Sequence, residues 1–288
     1  MKKINYCGTI VITGKPNVGK STIINKLIHS KISIVSKKPN TTQNNIIGIQ
    51  NYKEFQAIYT DTPGISYKCT NFVNKVQHRH ISKLCNNAEL ILLVLDRTNW
   101  TPEDDLALNI IKNDATIPII AIINKNDKIL KKTILLPYIE YLRKKYPFQD
   151  ILPISGKTGE NINILSKIVQ KLLPISPPKF PPNQIISHSL YFHIEEIIRE
   201  KFIFYLGDEL PHSIKIIVEN INFSKKKFYI IKAVIFVKNN QHKKIIIGHQ
   251  GKKIKLCGTI ARKELERYFK RSVYLSLFVT EKNMSYFL

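Results

Sequence analysis

Residues 14–21 read GKPNVGKS and match the G-x-x-x-x-G-K-[ST] pattern of a phosphate-binding loop at every fixed position. Residues 8–13 (GTIVIT) predict a buried strand before it, and residues 22–29 (TIINKLIH) carry apolar side chains at helical spacing after it. In that context, backbone N–H groups and the helix N-terminus point at one anion. An ordinary glycine-containing turn is the alternative. The candidate phosphate-binding residues are Gly14, Lys15, Pro16, Asn17, Val18, Gly19, Lys20 and Ser21.

A second apolar strand, residues 55–60 (FQAIYT), leads directly into the sequence DTPGI. A carboxylate at the end of a strand beside a phosphate loop holds Mg²⁺, usually through water, and the Ser21 hydroxyl is a second candidate ligand. Lys20 can reach the β- and γ-phosphates. Pro-Gly alone would be ordinary turn chemistry. The residues that we expect at the phosphates are Asp61, Thr62, Pro63, Gly64 and Ile65.

Two further strands, residues 118–123 and 151–154, end in the sequences NKND and SGK. The Asp127 carboxylate can accept hydrogen bonds from N1–H and N2–H₂ of guanine, whereas adenine presents neither donor there. NKxD alone is more often a solvated turn, but four motifs in this order, each after an apolar strand, indicate a guanine nucleotide. The candidate guanine-binding residues are Asn124, Lys125, Asp127, Ser155, Gly156 and Lys157.

With these motifs, the chain resembles the Era family of GTPases over nearly its whole length. The supporting stretches are ISIVSKKPNTTQ at residues 32–43, RTNWTPEDD at 97–105 and EIIREKFIFYLGDELPHSIKI at 196–216. The resemblance implies that Thr42 closes on Mg²⁺ and the γ-phosphate in the triphosphate state. Family members usually have alanine where this chain has Gly156. Since that residue is expected to act through its backbone N–H, the change should cost little affinity.

The resemblance implies hydrolysis of GTP to GDP with Mg²⁺ as cofactor. Ile65 stands where Ras-like enzymes place a water-orienting glutamine, and an aliphatic side chain cannot orient water. We expect Asn17 to help hold K⁺ beside the β- and γ-phosphates, as in cation-dependent relatives. The expected catalytic residues are Lys20, Thr42 and Asn17, and the expected Mg²⁺ ligands are Ser21, Thr42 and Asp61.

Composition narrows the class of protein. The 288 residues have room for two domains, and 45 Lys+Arg against 21 Asp+Glu give a net charge of +24. Such an excess favours polyanions, either nucleic acid or an acidic membrane surface, although heavy use of lysine throughout the chain explains part of it. Four scattered cysteines without a C-x-x-C pair indicate reduced thiols in a cytosol. The longest apolar run, residues 90–95, is far shorter than the roughly twenty residues of a membrane span.

A proline-rich stretch marks the domain boundary. Residues 165–173 predict the last helix of the nucleotide domain, and residues 174–182 then contain five prolines, which exclude regular helix and predict a semi-rigid linker. We predict a GTP-binding domain at residues 1–174, a linker at 175–183 and a second domain at 184–288. The elements predicted in the second domain are a helix at 184–206, strands at 213–219 and 228–237, a helix ending near residue 270 and a strand at 273–279.

Between those strands and that helix lies a G-x-x-G sequence. A bare G-x-x-G carries little information, but its flanks of two strands, apolar residues on either side and two lysines behind it resemble a type II KH RNA-binding module. Glycines let the backbone approach a sugar–phosphate chain, and a solvated charged helix face is the alternative. The candidate RNA-binding residues are Ile247, Gly248, His249, Gln250, Gly251, Lys252, Lys253 and Ile254.

The sequence therefore predicts an α/β, doubly wound P-loop GTPase domain followed by an α+β type II KH domain. The resemblance implies a monomeric, cytoplasmic GTPase that binds near the 3′ end of 16S rRNA and assists maturation of the small (30S) ribosomal subunit, with peripheral contact at the inner membrane. Two alternatives stay open. One is a GTPase whose basic second domain docks on membrane or protein; the other is a GTP-switched RNA-binding protein with negligible turnover.

Overall fold

The computed structural model describes residues 5–30, 32, 46–66, 72–112, 116–185, 187, 189–205, 214–224 and 227–281. Within these ranges the chain forms two compact units, residues 1–187 and residues 188–288. Thr42, Cys69 and Leu206 lie outside the described residues. Cys7, Cys85 and Cys257 are buried free thiols. No helix among the described residues combines the length and apolar character needed to cross a membrane.

The first unit is built on a six-stranded sheet with strand order β2-β3-β1-β4-β5-β6. Every neighbouring pair is parallel except β2 and β3, which are antiparallel. The strands are β1 (Tyr6–Thr13), β2 (Ile46–Tyr52), β3 (Phe55–Asp61), β4 (Leu90–Asp96), β5 (Ile119–Asn124) and β6 (Asp150–Pro153). The central strands are continuous apolar runs because both faces of a parallel sheet are covered.

Helices cover both faces of this sheet. They are α1 (Lys20–Ile28), α2 (Phe72–Asn86), α3 (Pro102–Ile111), α4 (Leu135–Lys145) and α5 (Ile162–Leu172). One core cluster joins α2, α3 and α4 to alternate residues of the strands, such as Ile91, Leu93 and Leu95. The intervening strand residues face the other way, where α1 and α5 contact each other and β3. The predicted doubly wound architecture is confirmed.

The antiparallel edge strand β2 was not foreseen from the sequence. It turns back on β3 at Lys53, whose φ of 53° lies in the left-handed region. Gly48 in β2 lies against α1, since an added Cβ would approach Ile28 Cδ1 to 2.1 Å and Ile32 Cδ1 to 2.2 Å. The glycine therefore permits the close packing of helix and edge strand.

The proline-rich stretch lies along the first unit. Pro174 O accepts from Cys7 N, and Ser176 N donates to Asn5 O. The buried Gln56 side chain accepts at Oε1 from the N–H groups of Lys179 (2.7 Å) and Phe180 (2.9 Å) and donates from Nε2 to Phe180 O (2.8 Å). These contacts fix the stretch by backbone hydrogen bonds, which explains how proline-rich chain stays ordered without helix or central strand.

The predicted start of the next helix is wrong. A helix was expected from residue 184, but α6 spans Leu190–Tyr205. Ile185 O instead accepts from Ile49 N (2.7 Å), and Ser187 N donates to Ile47 O (3.2 Å). The residues before α6 thus satisfy the open edge of β2, a long-range contact that helical periodicity does not reveal.

The second unit contains a three-stranded sheet in the order β7-β8-β9, with β7 antiparallel and β9 parallel to β8. Its elements after α6 are β7 (Ile214–Phe223), β8 (Tyr229–Val237), α7 (Asn240–Ile247), α8 (Lys252–Phe269) and β9 (Val273–Glu281). Helices α6 and α8 pack together over a core drawn from all three strands. The predicted α+β architecture is confirmed.

Helix α7 was missed in the sequence analysis. Its signals are a capping residue, Asn239, whose side chain accepts from His242 N at 2.9 Å, and a terminal glycine, Gly248. With only eight residues, the helix shows too little periodicity to stand out. Its position places the G-x-x-G sequence between two helices.

Candidate functional site

Two glycines shape the loop between β1 and α1. Gly14 has φ 141°, and an added Cβ would lie 2.4 Å from the Val94 carbonyl oxygen. Gly19 has φ 99°, and its added Cβ would lie 2.4 Å from Asn124 Nδ2. Both positions combine left-handed backbone with close approach, so the fixed glycines of the motif are required by the packing of the loop.

Lys20 is buried at the base of this loop, with 6% of its surface exposed. Its ammonium donates to the carbonyl oxygens of Gly14 (3.0 Å) and Lys15 (2.9 Å). With only the protein's own groups around it, burial lowers the pKa of Lys20 to about 8, although the Asp61 carboxylate favours the charged form. Burial removes the hydration that stabilises a charged ammonium, and a phosphate group beside Lys20 would stabilise that charge instead.

Ser21 and Asp61 meet beside Lys20. Ser21 Oγ donates to Asp61 Oδ2 at 2.7 Å, and the Asp61 side chain is fully buried. The next side chain, Thr62, donates from Oγ1 to Ile12 O at 2.9 Å and so fixes the end of β3 against β1. A hydroxyl and a carboxylate oxygen placed together are the donor set that Mg²⁺ prefers, so the described residues fit this ion.

The segment after β3 packs directly on the phosphate loop. An added Cβ at Gly64 would lie 2.7 Å from Pro16 Cα, and Ile65 N donates to Gly14 O at 3.2 Å. Pro63 links these contacts to Asp61. The Ile65 side chain is fully buried in the core beneath α2 and α3 and cannot contact a water at the phosphates.

Asn124 joins three of the predicted motifs. Its side chain donates from Nδ2 to Val18 O at 2.7 Å and accepts at Oδ1 from Gly156 N at 2.9 Å. Val18 belongs to the phosphate loop and Gly156 to the SGK loop, and Asn124 itself is 2% exposed. The role of this asparagine as a clamp between loops was not foreseen, because the partners of a buried amide cannot be read from spacing.

The other residues predicted at guanine lie at one edge of the same site. Ser155 Oγ donates to Asp127 Oδ1 at 2.6 Å, which holds the exposed carboxylate in a fixed orientation. Lys125 has φ 62° and donates from Nζ to Asp96 Oδ2 at 3.1 Å, while Lys157 is exposed. The structure therefore brings Asp127, Ser155 and Gly156 together around a common edge.

Asn17 and Lys15 occupy different surroundings within the loop. Asn17 is exposed and has φ 62°, a conformation that asparagine tolerates better than most residues. The Lys15 ammonium lies 2.8 Å from Asp104 Oδ2 at the start of α3. Asp104 was not among the residues predicted from the sequence.

The G-x-x-G sequence forms a tight exposed loop in the second unit. Gly248 and Gly251 both have φ 73°, Gln250 between them has φ 50°, and Gly251 N donates to Gly248 O at 3.1 Å. An added Cβ at Gly248 would lie 2.8 Å from Lys253 Cγ. His249 and Gln250 are exposed at its tip.

Helix α8 begins immediately after this loop. Lys252 and Lys253 form its exposed first turn, and Ile247 and Ile254 are half-buried on either side of the loop. Basic side chains, a helix N-terminus and adjacent apolar groups thus occur together, which suits a nucleic-acid backbone with unstacked bases beside it.

Comparisons with known proteins agree with both units. A protein-family model described as 50S ribosome-binding GTPase matches residues 9–125, and a KH domain model matches residues 209–285. The GTPase Era of Buchnera aphidicola subsp. Baizongia pistaciae is 56% identical over 285 residues, covering 98% of this chain and 99% of the relative. The GTPase Era of Haemophilus ducreyi is 42% identical, covering 96% and 91%.

Solved structures give the same result. A single-residue variant of Aquifex aeolicus Era bound to GDP·AlF₄⁻ is 36% identical with a TM-score of 0.90, covering 96% of this chain and 94% of that one. Era in complex with MgGDPNP and nucleotides 1506–1542 of 16S ribosomal RNA is also 36% identical with a TM-score of 0.90, covering 97% and 94%. Full-length identity above half to a GTPase Era, together with both domain matches, shows that this chain belongs to the Era family of GTPases.

Proposed function

We propose that this protein hydrolyses GTP with Mg²⁺ and binds the 3′ region of small-subunit ribosomal RNA during subunit assembly in the cytosol. The observation that carries the proposal is that Lys20, Ser21 and Asp61 meet beside the glycine-built phosphate loop. Asn124 ties this loop, through Val18, to the SGK loop. Hydrolysis is favoured over a switch with negligible turnover because a full-length relative binds GDP·AlF₄⁻, a mimic of the transferring phosphoryl group.

Phosphate binding follows from groups that are already oriented. Gly14 and Gly19 shape the loop that leads into the N-terminus of α1, where unpaired backbone N–H groups favour an anion. The Lys20 ammonium neutralises charge on the β- and γ-phosphates, and it needs little reorganisation because Gly14 and Lys15 already hold it. Positioning and charge stabilisation of this kind carry most of the catalysis in phosphoryl transfer.

The metal site is assigned to Ser21, Thr42 and Asp61. Ser21 and Asp61 are adjacent, and Thr42 belongs to a stretch outside the described residues. When bound, Mg²⁺ supplies charge neutralisation between the phosphates. The protein's own contribution is to orient the Asp61 carboxylate through the Ser21 hydroxyl, with the Lys20 ammonium nearby.

Base choice is assigned to Asp127. Its exposed carboxylate is oriented by the Ser155 hydroxyl, next to Gly156 in the SGK loop. Two carboxylate oxygens complement N1–H and N2–H₂ of guanine. The Gly156 N–H already donates to Asn124 Oδ1 at 2.9 Å, so its expected role at guanine requires this donor to be shared with, or released from, Asn124.

RNA binding is assigned to the loop between α7 and α8. The KH family match favours RNA over the membrane-docking alternative, and a full-length relative with this domain was solved with nucleotides 1506–1542 of 16S ribosomal RNA. We propose that the backbone at Gly248–Gly251 meets the sugar–phosphate chain. Lys252 and Lys253 add charge, and Ile247 and Ile254 contact the bases.

The guanine assignment predicts the effect of Asp127→Asn. The substitution replaces one acceptor with a donor, so guanine loses a partner and GTP binding should weaken by on the order of a few kcal/mol. Xanthosine triphosphate, which presents a carbonyl at C2, should gain relative affinity. Fluorescence titration with labelled GTP and XTP measures both, and unchanged GTP affinity would show that NKND is only a structural turn.

The buried Lys20 predicts a pH dependence of nucleotide binding. Its pKa is about 8 among the protein's own groups, and phosphate oxygens raise it, so binding takes up a proton when the pH is near or above 8. We expect the contribution of Lys20 to GTP affinity to be nearly constant below about pH 7 and to fall as the pH rises from about 8 to about 9. Calorimetry in two buffers of different ionisation enthalpy measures the proton uptake. If GTP binding at about pH 8.5 takes up no proton, Lys20 does not contact the phosphates as proposed.

The cation hypothesis predicts that GTP hydrolysis is faster in K⁺ than in Na⁺. Asn17→Ala would leave alanine at φ 62°, at a cost of about 1–2 kcal/mol, so Asn17→Gly is the cleaner way to remove the side chain. The glycine variant should hydrolyse GTP at the same rate in both salts. Single-turnover rates decide the point, and equal rates for the unmodified protein in the two salts would leave Asn17 without this role.

The RNA assignment predicts that changing both His249 and Gln250 to Asp abolishes tight RNA binding. Two negative charges would then face the phosphate backbone, while aspartate tolerates the left-handed conformation at Gln250. A matched control changes the exposed Asn220 and Asn222 of β7 to Asp, which adds the same charge elsewhere in the domain. Filter binding with single-stranded rRNA should separate the two variants. Equal affinity in both would contradict the assignment, whereas GTP binding should survive in both.

A further inference from the structure

The side chain of Lys15 links the phosphate loop to the start of α3. Its ammonium donates to Asp104 Oδ2 at 2.8 Å and to Thr101 Oγ1 at 3.0 Å. The side chain of Lys15 is 13% exposed and that of Asp104 is 0% exposed, so the ion pair is shielded from water. A buried ion pair keeps its geometry more firmly than an exposed one, because separating the two groups would leave a buried charge without a partner.

Asp104 is itself fixed by the helix that it caps. Thr101 is the N-cap residue before Pro102, and its backbone N–H donates to Asp104 Oδ2 at 2.9 Å, which is the side-chain half of a capping box. The Thr101 hydroxyl donates to the same oxygen at 2.8 Å. A second carboxylate of the same turn, Asp105, pairs with Lys145 of α4 at 2.9 Å. The carboxylate that receives Lys15 therefore belongs to a rigid helix N-terminus.

The backbone of Lys15 also contacts the side chain of Lys20. Lys15 O is one of the two carbonyl oxygens that accept from Lys20 Nζ, at 2.9 Å. The next residue, Pro16, is in contact with Gly64 after β3, since an added Cβ at Gly64 would lie 2.7 Å from Pro16 Cα. Movement at Lys15 would thus displace both an acceptor of Lys20 and the contact between the two phosphate-binding segments.

We propose that Asp104 is a positioning residue for GTP hydrolysis, acting through Lys15 to set the place of Lys20. It lies in the RTNWTPEDD stretch, whose role the site assignment above leaves open. The proposal rests on the proposed hydrolysis of GTP. Its consequence is specific: transfer of the phosphoryl group depends on sub-ångström placement, whereas GDP binding is spread over backbone N–H groups and the base.

The test compares Asp104→Asn with Asp105→Asn. Both remove one charge from the first turn of α3 and break a lysine pair of similar length, but only Asp104 contacts the phosphate loop. With folding checked by circular dichroism, we expect Asp104→Asn to slow single-turnover GTP hydrolysis by about tenfold or more. Its GDP affinity should stay within about threefold of the parent, because the loss lies in the transfer step. Asp105→Asn should leave the hydrolysis rate near the parent value.

A double-mutant cycle tests whether Asp104 acts through Lys15. Lys15→Met should slow hydrolysis similarly, and the protein carrying both changes should lose no more than the slower single variant. Lys145→Met, which breaks the Asp105 pair, is the matched control for Lys15→Met. If Asp104→Asn does not fold, the hydrolysis rates of Lys15→Met and Lys145→Met are compared instead.

Three outcomes would overturn the inference. Asp104→Asn could hydrolyse GTP as fast as Asp105→Asn, or the losses of the two single variants could multiply in the double variant. GDP affinity could instead fall as much as the hydrolysis rate, which would indicate general damage to the loop. An unmodified protein that does not hydrolyse GTP would contradict the proposed function first, and this inference with it.

Discussion

The two hydrogen bonds of the Asn124 side chain are the constraint on which the nucleotide site depends. One holds the carbonyl of Val18 and the other the N–H of Gly156, so a single buried amide fixes the distance between the phosphate loop and the SGK loop. Its Nδ2 also explains Gly19, where any Cβ would collide with it. A buried amide that satisfies both its donor and its acceptor in this way specifies one arrangement, because any other leaves polar groups unpaired at a cost of about 1–3 kcal/mol each.

Near Asn124, the nucleotide site contains ionisable side chains of a kind that a protein interior ordinarily excludes. Lys20 and Asp61 are both nearly or fully buried, and burial lowers the pKa of the lysine to about 8. Such groups are tolerated where a ligand of complementary charge completes them. The site is therefore organised in advance for a phosphate chain and a divalent cation.

The two units build their candidate binding sites from different kinds of contact. The nucleotide site draws on several strand ends and loops, held by contacts between residues as distant in the chain as Asn124 and Val18. The G-x-x-G loop is local: two glycines with φ 73° and one left-handed Gln250 make a turn between α7 and α8 from a few consecutive residues. The loop belongs to the second unit, which has a core of its own.

The sequence alone determined the identity of both units, because GKPNVGKS, DTPG, NKND and the flanked G-x-x-G are local patterns whose glycines and polar groups have few alternative uses. It also predicted the apolar strands that precede the phosphate loop, DTPG, NKND and SGK. Only the tertiary structure decided that β2 runs antiparallel at the edge, that residues 185 and 187 bond to it before α6 begins, and that Lys15 reaches Asp104, 89 residues away. Contacts of this kind join residues that are distant in the chain, and no periodicity or motif in the sequence pairs one partner with the other. Their partners exist only once the sheet has brought its strand ends together.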